Sequence, residues 1–209
     1  MTKNKPLIEI EPKWSKRINI IILILAMISF GLFNLNSSDI PEGMFEDPNT
    51  GKPMLLGPIT IEELQQEPFN EWYQIEFSEY EVDVRTVSEL TTAIDNSNQY
   101  TYEIFLGTWC GDSRREIPRL EKIFNEMGVD MNNVAIVAVD RDKISPNGEQ
   151  EGKDIRYVPT LIVNKDNEEI GRIVESPSSL STTLESDLLF ISLGIPPIPN
   201  YDEENPIKL

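Results

Sequence analysis

The spacing of hydrophobic and polar positions changes character several times along the chain. From Ile18 to Leu35 the side chains form an almost continuous apolar run, interrupted only by Asn19, Ser29, Gly31 and Asn34. At 1.5 Å per residue this run makes roughly 27 Å of helix, enough to cross a hydrocarbon core. A buried core helix is the alternative, but such helices usually keep a polar stripe and this run has none. Residues 36–66 are rich in Pro, Gly, Asn and Asp, which favour turns and extended chain, and read as a tether. Phe69, Trp72, Tyr73, Phe77 and Tyr80 then cluster too densely for a free linker and are expected to pack on the domain. A client-binding surface is the other reading of that cluster.

From about residue 85 two periods alternate. Val87, Leu90 and Ile94 have helical spacing, with Asn96 to Asn98 as a stop, and residues 102–108 (YEIFLGT) suit a strand buried on both faces. Ile117, Leu120, Ile123, Phe124 and Met127 share one face of a helix that Gly128 would terminate. A second buried strand (VAIVAVD) follows, then TLIVN and EIGRIVE joined by KDNE as an antiparallel hairpin, and an amphipathic helix over about 178–193. A strand, crossover helix and strand followed by a hairpin and covering helix predict an α/β fold, with one central mixed β-sheet flanked by helices. The expected organisation is a basic N-terminus (1–17), one transmembrane helix (18–35), a linker (36–66), a folded domain with an aromatic extension (67–195) and a loosely held tail (196–209).

Charge sets an orientation for this arrangement. The first 17 residues carry Lys3, Lys5, Lys13, Lys16 and Arg17 against Glu9 and Glu11, leaving 13 of the 18 basic and 34 of the 36 acidic side chains for the remainder. The positive-inside rule then keeps the N-terminus in the cytoplasm and sends the domain across, with a cleaved signal peptide as the rival reading. No small-x-small site follows the run, which favours an uncleaved anchor. So acidic a surface repels phosphate backbones, and nucleic acid is not expected as a partner.

The chemistry on offer is narrow. The chain has no histidine and a single cysteine, Cys110, which excludes an internal disulfide framework, the usual zinc sites and imidazole-based triads. Asp140, Asp142 and Glu151 are spaced like a calcium loop, but Ile144 cannot ligate and Ser145 stands where the turn requires glycine. No metal and no cofactor is expected.

The run FLGTWCGDS, with Pro118 eight residues beyond Cys110 and YVPT at 157–160, resembles the thioredoxin fold. More narrowly, TWCGDSRRE, VDRDKISPNGEQEG and EIGRIVESP resemble bacterial membrane-associated or secreted thioredoxin-family proteins with a Trp-Cys-Gly-Asp-Ser site. The resemblance implies that Cys110 begins a helix, where unpaired N–H groups and the positive dipole end favour the attacking thiolate. It implies a substrate-contacting surface of Trp109, Gly111, Asp112, Val158 and Pro159, with Pro159 as the family's cis-proline beside the cysteine. Pro118 would kink the helix, and Arg114 and Arg115 would add positive potential near the sulfur or serve as surface charges.

Departures from the pattern shape the expected mechanism. Ser113 replaces the resolving cysteine, so a mixed disulfide at Cys110 must await an external thiol. Ser113 either donates a hydrogen bond to the thiolate or is an ordinary helix-start hydroxyl. Ile104 stands where thioredoxins often place a buried aspartate, and Glu103 points to the opposite face of the strand. The leading expectation is a monothiol thiol-disulfide oxidoreductase anchored in the bacterial inner membrane. Its domain is periplasmic, or secreted if the segment is cleaved, and acts on protein or small-molecule disulfides. The alternatives are a thioredoxin-fold binding module that traps or merely recognises clients, and a glutaredoxin-like site holding glutathione or an iron-sulfur cluster. The preceding tryptophan and the exported location count against the last.

Overall fold

The computed structural model describes residues 40–94 and 99–200, which belong to one compact unit beginning at Ile40. The apolar run 18–35 lies outside the described residues; among the described helices none is long and apolar enough to cross a membrane.

Two short strands, β1 (Phe45–Glu46) and β2 (Pro53–Met54), form an antiparallel pair, and β3 (Gly57–Pro58) follows. The next elements are α1 (Ile61–Leu64), α2 (Asn70–Glu79), α3 (Val84–Ala93), β4 (Tyr100–Leu106) and α4 (Gly111–Met127). After them come β5 (Val134–Ala138), β6 (Thr160–Lys165), β7 (Glu168–Val174) and α5 (Leu184–Ser192). The main sheet has the order β3-β5-β4-β6-β7, parallel only between β4 and β5 and antiparallel elsewhere. It is therefore the central mixed sheet flanked by helices that the periodicity predicts.

Alternation along β4 sorts the core. Tyr102, Ile104 and Leu106 join Ile117, Leu120, Ile123 and Phe124 of α4 and the buried residues of the other helices in one large apolar cluster. Phe105 faces the other way and joins Val137, Val139, Val158 and Ile162, with Trp109, Cys110 and Ile155 packed against them. Each fully buried side chain of this size contributes about 1.5–3 kcal/mol relative to exposure. Cys110 is thus attached to the smaller cluster, built from strands and loops.

Several boundaries differ from expectation. Part of the segment read as a tether is structured: β3 extends the main sheet, and Met54, Leu55, Ile59 and Ile61 are buried. The helix expected over 178–193 starts only at Leu184, because Pro177 and the serines after it form local hydrogen-bonded turns and Thr183 caps the helix with Ser186. At the start of the expected loose tail, Asn200 donates to the Val174 carbonyl at 2.6 Å. The aromatic extension packs as expected: Phe69 and Tyr73 are buried, while Trp72, Phe77 and Tyr80 lie partly buried against the core. The hairpin turn uses Asp166 and Asn167, both with positive φ, in keeping with their tolerance of left-handed backbone.

Candidate functional site

Cys110 ends the loop after β4 and caps α4 in an extended conformation (φ −89°, ψ 130°), with its carbonyl accepting from the Arg114 N–H at 3.1 Å. The sulfur is half-buried, and the thiol donates to the Val158 carbonyl at 3.1 Å. The Val158–Pro159 peptide is cis, as the resemblance implies, and both residues are buried. Gly111 is exposed and Asp112 half-buried at the first turn of α4. Cys110, Val158 and Pro159 therefore meet at one place, with Trp109 packed against the same cluster.

Ser113 is buried, and its hydroxyl accepts from the Gly107 N–H at 3.1 Å. The contact is structural: it fixes the loop leading to the cysteine from inside the first helical turn. The Ser113 oxygen acts as acceptor in this contact. Arg114 and Arg115 are likewise engaged elsewhere. Arg114 donates to the Thr108 carbonyl at 2.7 Å and lies over the Trp72 ring, while Arg115 pairs with Asp112 at 2.7 Å and with Glu116 at 2.6 Å.

Trp109 is held on three sides. Its Nε1 donates to the Val139 carbonyl at 2.9 Å, the Arg141 guanidinium lies 4.8 Å from the ring centroid, and its ring fills the space beside Gly107. A Cβ on Gly107 would stand 2.5 Å from the ring, so Gly107→Ala must displace a tryptophan that has little freedom to move. The expected cost is about 1–3 kcal/mol, checked as a fall in the denaturation midpoint together with slower alkylation of Cys110.

Four residues not singled out by the sequence reading belong to this neighbourhood. Arg141 donates through Nε and Nη2 to both carboxylate oxygens of Asp47, at 2.7 and 2.8 Å. Asp47, in the β1–β2 turn, is 2% exposed, and its carboxyl is held well below the usual carboxylate range chiefly by the Arg141 hydrogen bond. Glu116 is buried in α4 between Arg115 and Arg119, and burial pushes its carboxyl up. It lines a small cleft with Pro159 and Glu175; burial and the neighbouring Asp112 charge push Glu175 up as well. Glu116, Arg141 and Glu175 lie inside the quoted motifs TWCGDSRRE, VDRDKISPNGEQEG and EIGRIVESP, whereas nothing local marked Asp47.

The strand position of the family aspartate is apolar in space as well as in sequence: Ile104 is buried in the large cluster. Glu103 faces the other side and accepts from Lys153 at 2.8 Å and Asn164 at 2.9 Å. Among the described residues no group of three acidic or cysteine side chains is placed to hold a metal ion. Asp140 instead accepts from the Asp142 and Ile144 N–H groups, closing its own loop.

A central mixed sheet, a cysteine capping the helix that follows β4, and a cis-proline beside its sulfur define a class of folds built around an accessible thiol. The family profile for thioredoxin matches residues 81–186, half of the chain, and the chain belongs to the thioredoxin family. Thioredoxin-2 of Saccharomyces cerevisiae is 24% identical over 106 residues, which cover 50% of this chain and 96% of that protein. The β1–β2 pair and α2 precede the matched stretch.

Proposed function

We propose that this thioredoxin-family chain performs monothiol thiol-disulfide exchange through Cys110. The observation that supports this reading best is the half-buried sulfur at the head of α4, beside Val158 and Pro159, with Ser113 in the resolving position. The Cys110 thiolate attacks one sulfur of a client disulfide, forming a mixed disulfide and expelling the other client sulfur as a thiolate. An external thiolate attacks Cys110 in that adduct and releases the second client thiolate. A second external thiolate then frees Cys110 and leaves the two external thiols joined as a disulfide. Two electrons pass from two external thiols to one client disulfide, and each client thiolate takes up a proton.

Trp109, Gly111, Asp112, Val158 and Pro159 form the contact surface in this reading. Residues 18–35 anchor the chain in a bacterial inner membrane, with the domain on the periplasmic side; the apolar run and the basic residues before it support that placement. The half-covered sulfur also suits a second reading, a binding module that recognises clients without turnover.

The test is intact mass after incubating the full-length chain with oxidised glutathione, followed by excess free thiol. Exchange predicts one glutathionyl adduct per chain and its complete removal. No adduct, with a folded protein, would leave the binding module.

A further inference from the structure

We propose that Arg141, positioned by Asp47, recruits anions to the Cys110 site, and that the external thiol which resolves Cys110 adducts is a small one carrying a carboxylate. This deepens the exchange reading and rests on it for the identity of the thiol, though not for the recruiting role.

The ion pair is directional. Asp47 is covered, and four donors satisfy its carboxylate: Nε and Nη2 of Arg141, the Thr50 hydroxyl and the Asn49 N–H. The Arg141 side chain keeps 30% of its surface in water. The negative end of the pair is therefore covered while the positive end keeps part of its surface in water, with the guanidinium carbon 4.8 Å from the ring centroid of Trp109, the residue preceding Cys110. Bidentate pairing fixes a planar guanidinium in a way a single lysine contact would not. The Asp47 hydrogen bond raises the Arg141 pKa, and the Trp109 ring beneath the guanidinium packs against the same cluster as Cys110.

Of the other nearby cations, Lys143 donates to the Arg141 carbonyl at 2.9 Å. Arg115 is shared between Asp112 and Glu116, and Arg114 is turned onto Thr108 and Trp72. On a chain of net charge −18, a half-buried guanidinium at the rim of the Cys110 site distinguishes that rim from the repulsive remainder. A small thiol with a carboxylate pairs with such a group while its sulfur reaches Cys110. The hairpin that carries Asp47 lies outside the thioredoxin match, so the device combines the family domain with the segment preceding it. A second bond ties that segment to the site, from the Leu55 N–H to the Thr108 hydroxyl at 3.2 Å.

Alkylation isolates the effect. Iodoacetate and iodoacetamide both lose iodide to the Cys110 thiolate and form one carbon–sulfur bond, but only iodoacetate is anionic. Their rate ratio therefore cancels thiolate fraction and much of the steric access. In the full-length chain the ratio is expected to exceed that of cysteine in a neutral peptide and to fall as salt is added. The double variant Asp47→Asn/Arg141→Gln replaces the ion pair with an amide pair and leaves the net charge of the chain unchanged. It should lower the ratio about fivefold, within the range of local field effects on encounter. Arg85→Gln, which removes a distant exposed charge, should not lower it.

Release of the Cys110 adduct by mercaptoacetate should slow in the double variant relative to release by 2-mercaptoethanol. A ratio in the parent chain no higher than the peptide's would overturn the recruiting role of Arg141 without any variant, and so would a ratio the double variant leaves unchanged. Equal slowing of the two thiols would overturn the carboxylate assignment. Failure of the parent chain to form any adduct would overturn the exchange reading, while the alkylation ratio still decides the role of Arg141.

Discussion

Cys110→Ser is expected to abolish exchange completely, with no measurable mixed disulfide and no turnover in an insulin-reduction assay driven by external thiol. The argument is one of elimination joined to geometry. Cys110 is the sole cysteine, and only a thiolate attacks a disulfide sulfur at a useful rate near neutrality. Ser113 cannot substitute, because a hydroxyl is a poor nucleophile toward sulfur and its oxygen already accepts from the Gly107 N–H inside the fold. The variant should remain folded: an oxygen in place of sulfur can still donate to the Val158 carbonyl, so the denaturation midpoint should move by no more than about 1 kcal/mol equivalent. That separation between activity and stability is the value of the measurement. Retained exchange in a folded Cys110→Ser protein would refute the monothiol mechanism outright.

The parts of the fold that were legible are those where one physical pattern dominates. β4 and β5 read as short apolar runs because both faces are covered, and α4 read as a helix because Ile117, Leu120, Ile123 and Phe124 recur on one side and Gly128 takes φ 70° at its end. Cys110, Val158 and Pro159, 48 residues and more apart, were brought together only by resemblance to a family; no local period connects them. β1 to β3 escaped because strands of two residues have no period to detect, and Phe45 and Glu46 are both exposed. The pairing of Asp47 with Arg141 spans 94 residues and depends on the hairpin folding back onto the site. Arg114 and Arg115 were visible as charges near the cysteine in sequence, but the Thr108 carbonyl and the Trp72 ring engage Arg114, and Asp112 and Glu116 engage Arg115. Position along the chain was a poor guide to electrostatics here, because the cation that meets the site arrives from the loop after β5.

The largest expected loss of stability comes from the aromatic extension before the family domain. Tyr73 is fully buried, and its hydroxyl donates to Glu121 of α4 at 2.7 Å. Further ties join α2 and its C-terminal end to the same helix: Arg119 to Glu76 at 2.9 Å, and Lys122 to the Phe77 and Tyr80 carbonyls at 2.8 and 2.6 Å. Tyr73→Ala removes a ring that its surroundings cannot refill and should cost about 3–5 kcal/mol, as buried aromatic truncations do. Tyr73→Phe keeps the ring and loses only the hydrogen bond, so about 1 kcal/mol is expected. At about 2–4 °C per kcal/mol, Tyr73→Ala should melt roughly 10 °C lower and Tyr73→Phe only a few degrees lower, a difference that calorimetry resolves. Because α4 carries Cys110 at its N-terminus, loosening α2 also loosens the support of the reactive sulfur. Alkylation of Cys110 should therefore respond to Tyr73→Ala well before global unfolding. Equal melting of the two variants would show that the ring contributes little and that α2 is an appendage; the expected gap makes it a splint on the helix that presents the thiol.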